Sequence, residues 1–530
     1  METNNSSYQP KDYAGKIAKA FLRSSLTPVL GAFLLAIGYL SLMVMPREEN
    51  PQMVVSGSTV IVAMPGATAK EIEEVIVKPL ERKLKEIKGI EHIYGTAMDN
   101  VGVVNAAFYI GEEKADSNLK IYDKIMQNMD IFPKTIMQPI IKPLDIDVDI
   151  PIVSVAFYSN NPDMDETELY DKAKQIQHHV NGLDNVAVTA LKGGHKHQFN
   201  VLVDLNKLTG YNLSLGQITQ SIQAVAYSVP AVKNRTKENE IVMVGIKNAI
   251  DDKRDIENII VAQYMGSAIY LKDIATVEDS YNVQNFKSAQ VSMQTEDGTF
   301  TPLQDQVTLT ISKLQGTNAV IIAEAVKDEL EKYQELMAEN GISYVITRND
   351  GERANEAVNE LVFHLILSII IIAILLIFVL GWRESLIVTF SVPAILAITL
   401  FVAYITGQTI NRITLFAFLL SLGLLVDAAI IVIENIHRHH HSPTAAKRNE
   451  DELMIEATDE IGPPTNIATL AIILTMVPMS FVGGMMGQFM KPIPANVPVA
   501  LIASLFVAYI FTPYLAVRLL KKPKNQEGAH

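Results

Sequence analysis

The 530-residue chain is 49% hydrophobic, with a formal net charge of −14 and a mean hydropathy of +0.19, a balance too apolar for an ordinary soluble protein. Negative charge without a basic stripe counts against a nucleic-acid surface, which needs clustered Lys and Arg. Cysteine is absent, which removes disulfides, thiol nucleophiles and Cys-based metal sites, and no G-x-x-x-x-G-K-[ST] loop is present to hydrolyse nucleotide.

Residues 1–25 are polar, then weakly amphipathic, and Lys11, Lys16, Lys19 and Arg23 predict a cytoplasmic N-terminal segment by the positive-inside rule. The run Leu26 to Met45 is close to the roughly 20 residues that span hydrocarbon, and no small-x-small cleavage site follows it. It therefore reads as a first transmembrane helix, 26–45, stopped by Pro46-Arg47-Glu48-Glu49-Asn50-Pro51.

Residues 46–360 form a polar region in which strand and helix patterns alternate. Thr59 to Met64 reads as a strand, Pro65-Gly66 as a turn, Ala69 to Ile87 as an amphipathic helix and Gly102 to Ile110 as a second strand. The order recurs with a strand at Pro151 to Tyr158, a helix at Asp165 to Val180, and strands at Asn185 to Val188 and Gln198 to Val203. A third helix, Asn318 to Asn340, sits between strands Val307 to Ile311 and Ser343 to Ile346. Such repeats predict α+β subdomains of split βαβ, ferredoxin-like type.

Five more apolar runs fill 361–520: Leu361 to Leu380, Leu386 to Thr406, Ile413 to Glu434, Pro464 to Val482 and Pro494 to Val517. Arg383, the Arg438 to Arg448 segment within a loop at about 436–462, and Lys521, Lys522 and Lys524 of the 521–530 tail fall on one side, with Arg412 and Lys491 on the other. The fold class expected is a six-span α-helical membrane bundle with both termini cytoplasmic and one large external α+β domain between spans one and two.

Within the fourth apolar run, Leu422-Gly423-Leu424-Leu425-Val426-Asp427-Ala428-Ala429 carries a carboxylate at membrane depth. An ionised Asp there costs roughly 2.5–3.5 kcal/mol even on the lenient insertion scale, so it is expected to face protein or a water-filled path. Asp427 lies about 20 Å along the helix from Ile413 at 1.5 Å per residue. Burial disfavours its charge and a nearby cation favours it, so it can take up and release a proton as its surroundings change. Asp427 is the candidate proton relay. Glu434, seven residues on and on about the same face, reads first as an interfacial charge and is only a secondary candidate.

Several stretches resemble the resistance-nodulation-division (RND) efflux permeases. Ile410 to Ala417 followed by Gly423 to Ile430 and Glu434-Asn435 is similar to that family's fourth helix. Pro65-Gly66-Ala67, Leu205 to Leu208, Ile218 to Ala224 and Tyr270 to Glu278 resemble, in order, its first periplasmic domain; Leu380 to Arg383 and Thr512 to Ala516 resemble its second-to-third helix loop and the end of its sixth helix. The resemblance implies a proton-driven exporter of drugs, solvents or metal ions in a Gram-negative inner membrane, with a periplasmic porter region and a docking subdomain at about 225–275. It implies a trimer working with a periplasmic adaptor and an outer-membrane channel, and no cofactor beyond the coupling proton.

Two departures bear on function. Ala428 stands where the multidrug branch has a second Asp, and the Asp-Ala-Ala pattern is similar to the heavy-metal branch. Family members carry twelve spans, and the Lys, Arg and Thr that complete the relay from the tenth and eleventh helices have no counterpart among these six. The chain is therefore expected to be an N-terminal half that works with a second six-span half or a homodimer mate, or else an inactive half serving as an assembly module. A homodimer would bring no Lys or Arg to the depth of Asp427.

Weaker signals are the tract His437, His439, His440 and His441, the pair His195 and His197 on one expected strand face, and Met485, Met486 and Met490, which could pass a soft ion but more simply fill packing gaps. No metal site is assigned. No G-x-S-x-G elbow or zinc-protease helix appears, so an enzyme reading has no motif behind it.

Overall fold

The computed structural model describes residues 8–159, 161, 164–226, 229–235, 241–246, 250, 252–264, 266–281, 288–295, 297–442, 445 and 448–520. Among these, six helical segments are long and apolar enough to cross a membrane, by length and composition. The first, Leu26–Val44, stops because Pro46 forces Met45 into extended backbone (φ −62°, ψ 132°).

The second segment, Asp350–Val379, starts earlier than its apolar run suggests. Asn349 accepts a hydrogen bond from the amide of Glu352, and Asp350 and Glu352 place negative charge at the positive helix end, so the helix grows directly out of a strand. The third, Trp382–Ile405, follows after Gly381, whose φ of +117° is accessible only to glycine and permits the tight reversal. The fourth is Arg412–His440 and the sixth Pro492–Leu519.

The fifth differs from expectation. It begins at Glu450, not Pro464, and the connection after the fourth helix shrinks from 436–462 to 441–449. Asn449 caps it and three acids fill its first turn, which starts the helix ahead of Pro463 and Pro464; those prolines lie inside the helix.

Fourth and sixth helices form the bundle's centre, where Leu422, Val426, Ala429 and Val432 join Ile387, Val388, Ala508 and Tyr509 in one buried cluster. First and third helices approach closely at Gly38, where an added Cβ would sit 2.3 Å from Ala397 Cβ. Small residues at such crossings let apolar helices gain van der Waals contact.

The polar region holds two sheets of the same order. In the first, β1 (Gly57–Ala63), β2 (Ile90–Met98), β3 (Val101–Phe108) and β4 (Ile140–Pro143) are arranged β2-β3-β1-β4, so β3 inserts antiparallel between β1 and β2. The helix expected over 69–87 runs Ala69–Ile72 and Lys78–Lys85 with a π turn, Glu73–Val77, between. It buries Ile72, Ile76, Leu80 and Leu84 against the sheet.

In the second sheet, β5 (Val153–Ser159) lies between strands Gln304–Lys313 and Ile342–Asn349, and β6 (Val186–Lys192) pairs with Gln304–Lys313 on its other side. The strand that follows β6 in this sheet thus comes after an insertion, 193–303. Within the insertion His197–Val203 pairs antiparallel with Ala275–Tyr281, and Val229–Arg235 with Ile241–Ile246. Parts of the expected docking stretch, 227–228, 236–240, 247–249, 251 and 265, lie outside the described residues.

The α/β region is anchored to the bundle through residues 46–49. Glu48 N–H donates to Ile410 O (3.0 Å), Ile410 N–H donates to Pro46 O (2.9 Å), and Ala319 N–H donates to Arg47 O (3.0 Å). Lys313 Nζ lies 2.7 Å from Glu48 Oε1, Thr409 Oγ1 donates to Glu48 Oε2 (3.1 Å), and Arg412 and Arg353 pair with Glu49. On the opposite side, Asp459 accepts from Tyr8 Oη and from the backbone amides of Lys11 and Asp12, holding the N-terminal helix Tyr13–Phe21 against the fifth helix.

Candidate proton-relay site on the fourth helix

The fourth helix begins where Asn411 Oδ1 accepts from the amides of Ile413 and Thr414, which fixes its rotation close to the α/β region. From there its two faces diverge. Leu415, Phe418, Leu422, Leu425, Val426, Ala429, Val432 and Ile433 are buried inside the bundle. Phe416, Leu420, Gly423, Asp427 and Glu434 are exposed, at intervals of three, four and seven that keep them on one stripe.

Asp427 thus points out of the six-helix bundle. A Cβ on Gly423, one turn away, would meet nothing within 4 Å. Among the described residues neither Asp427 nor Glu434 has a hydrogen bond or ion pair. Ala428, next to the relay candidate, faces the interior at 4% exposure and belongs to the central cluster.

The histidine tract disperses to separate partners. His437 Nδ1 lies 3.1 Å from Glu384 on the third helix, His439 Nε2 lies 2.6 Å from Glu460 on the fifth, and His441 Nδ1 lies 2.9 Å from His437 O. His440 is buried. His195 precedes the strand that starts at His197: its Nδ1 lies 2.7 Å from Glu166 and its ring stacks on Tyr281, whereas His197 pairs with Asp279. Among the described residues no three His, Asp or Glu side chains are grouped to hold a metal ion. Met485 and Met486 are exposed, and Met490 packs against a cluster with Ile493 and Val497.

Sequence reasoning missed two polar centres, Glu48 with Lys313 and Thr409, and Asp459 with the N-terminal segment. Their partners lie 265 and up to 451 residues apart in the chain, and each acid reads as an ordinary helix-end charge.

The sequence profile described as the AcrB/AcrD/AcrF family matches residues 17–530. The chain is 25% identical over 528 residues to the swarming motility protein SwrC of Bacillus subtilis, covering 92% of this chain and 48% of that protein. It is 26% identical over 511 residues to the toluene efflux pump membrane transporter TtgE of Pseudomonas putida (94% and 47%), and 24% identical over 508 residues to the multidrug resistance protein MdtC of Proteus mirabilis (95% and 48%). The chain spans about half the length of these curated relatives. With its apolar helices, paired α/β sheets and an acid in the fourth helix, the chain belongs to the AcrB/AcrD/AcrF family of RND permeases.

Proposed function

We propose that this chain is one half of an efflux transporter driven by the proton-motive force, in which Asp427 carries the coupling proton. The observation that carries the reading is the outward stripe of the fourth helix. A carboxylate at membrane depth facing lipid is unfavourable by roughly 2.5–3.5 kcal/mol on the insertion scale, so the face with Asp427 calls for a protein cover. A second six-span half on another chain would lie against Phe416, Leu420 and Gly423 and supply the cation that no helix of this chain brings to that depth, whereas a homodimer mate would cover the stripe without supplying that cation.

The two sheets, each with its third strand inserted between its first two, support a reading as split βαβ porter subdomains, and the insertion 193–303 as the docking element. The distribution of Lys and Arg supports cytoplasmic termini and a periplasmic porter in an inner membrane. Relatives named for toluene efflux and multidrug resistance favour apolar or amphipathic small molecules as cargo. By the same likeness the assembly is a trimer with a periplasmic adaptor and an outer-membrane channel.

The test uses the cysteine-free background. A single cysteine at Leu420 or Gly423, alkylated with a benzophenone maleimide, should cross-link to the co-purified second half on irradiation. Asp427→Asn should leave assembly intact and abolish proton-coupled export, with Asp427→Glu retaining part of it. Export undiminished in Asp427→Asn would reject the relay and leave this chain as an assembly module.

A further inference from the structure

A cavity of about 420 Å³ opens at the junction of the α/β region and the bundle, within the range of roughly 300–1,000 Å³ typical of small-molecule sites. It is lined by the segment after the first helix, Gln315 beyond the strand Gln304–Lys313, the end of the third helix, the start of the fourth, Gln488, and the start of the sixth. From its contents we infer that it binds an amphiphile with an anionic head, at a site separate from Asp427.

The charge on its wall is of one sign. Among the described residues Lys491 is the sole ionisable side chain lining the cavity, and it has no ion pair there. Around it stand neutral carboxamides, among them Gln315 and Gln488, that can donate to an oxyanion without cancelling the cation. The carboxylates of the adjoining segment are already engaged, Glu48 by Lys313 and Glu49 by Arg353 and Arg412. The fourth and sixth helices both start here, so the positive ends of two long helix dipoles are directed at the same space.

Polarity then falls off along the cavity. Lys491, Ala495 and Val499 are spaced by four on the sixth helix and form one stripe about 12 Å long at 1.5 Å per residue. Val402, one turn below Thr406 on the third helix, contributes an apolar side chain to the same wall. An ammonium at the mouth with an apolar stripe leading into the bundle matches a carboxylate or phosphate bearing an alkyl chain. A small free anion would leave the stripe unused, and a cationic amphiphile would meet Lys491 without a counter-charge.

The experiment takes the full chain in uncharged maltoside micelles, labels it with a diazirine analogue of dodecanoate, and maps the modified peptides. Label should fall at the start of the sixth helix and the end of the third. Dodecanoate should compete about tenfold better than dodecyltrimethylammonium, equivalent to roughly 1.4 kcal/mol. Lys491→Glu should lower labelling by a similar factor and Lys491→Arg retain it. Competition by phosphatidylglycerol but not phosphatidylcholine would identify a lipid headgroup as the natural source, and its failure a free amphiphile; either outcome supports the site. Equal competition by the cationic amphiphile on the unaltered chain, or label mapping elsewhere, would overturn it, whether or not the variants fold.

Discussion

Lys313 and Glu48 form an ion pair of 2.7 Å with side chains only 5% and 4% exposed; the pair ties a strand of the α/β region to the segment after the first helix, and Glu48 in turn accepts from Thr409 in the connection between the third and fourth helices. Removing water from two charges is costly, and a lone survivor is costlier than a matched apolar pair. Lys313→Ala should therefore destabilise the chain by roughly 3–5 kcal/mol, because Glu48 stays buried with only hydroxyl and amide partners. The double variant Glu48→Met with Lys313→Met should recover most of the loss. Thermal unfolding in detergent checks both, and a Lys313→Ala chain as stable as the parent would show that Glu48 finds water there.

The N-terminal segment should respond to alkali. Tyr8 is pushed up to about 12, first by burial and then by its hydrogen bond to Asp459. A folded pKa above the ordinary value of 10.0 means that the folded state favours the neutral phenol. That contribution is complete below pH 10 and is lost as pH rises toward 12. The protection factors of the amides of residues 13–21, that is exchange corrected for hydroxide catalysis, should stay constant up to pH 10 and fall beyond it. In Tyr8→Phe the alkaline step should vanish, while Asp459→Ala should free the segment at every pH and expose Lys16 and Lys19 to trypsin. A step of equal size in Tyr8→Phe would assign it to another group.

Much of this architecture is legible in the chain because its signals are local. Runs of apolar residues announce the six helices, and one acid in such a run singles out Asp427. What is not legible depends on packing between distant segments. Which way Asp427 points follows from how the second, third, fifth and sixth helices occupy the other faces of the fourth, and no periodicity within the fourth helix separates a face turned to lipid from one turned to a second half. The histidine tract shows the reverse case: composition suggests a shared ligand, yet Glu384 and Glu460, on different helices, draw His437 and His439 apart. The second sheet is obscured by the insertion between β6 and its partner strand, and the fifth helix by prolines that resemble a start signal.

Contact between the first and third helices rests on one missing Cβ. Gly38→Ala would place its methyl 2.3 Å from Ala397 Cβ, so the helices must separate at a cost of roughly 1–3 kcal/mol for overpacking. Ala397→Gly in the same chain should relieve it. A double-mutant cycle in thermal stability measures the coupling, and strict additivity of the two changes would refute direct contact.

Asp427 and Ala428 are neighbours with opposite environments, and substitution should separate them. Asp427 is exposed and without a hydrogen bond or ion pair among the described residues, so Asp427→Asn, which removes a charge that costs roughly 2.5–3.5 kcal/mol at membrane depth, should leave this chain at least as stable as the parent. Ala428 is 4% exposed among Ile387, Val388 and Val432, where an added carboxylate would have neither solvent nor a cation. Ala428→Asp should destabilise the isolated chain by several kcal/mol, as expected for an unpaired buried charge. If a second half brings a Lys against the fourth helix, co-expression should recover part of that loss, because a helix carrying both acids could turn toward the new cation. Equal losses with and without the partner would mean that position 428 never faces the interface, and that the outward stripe through Asp427 alone meets the second half.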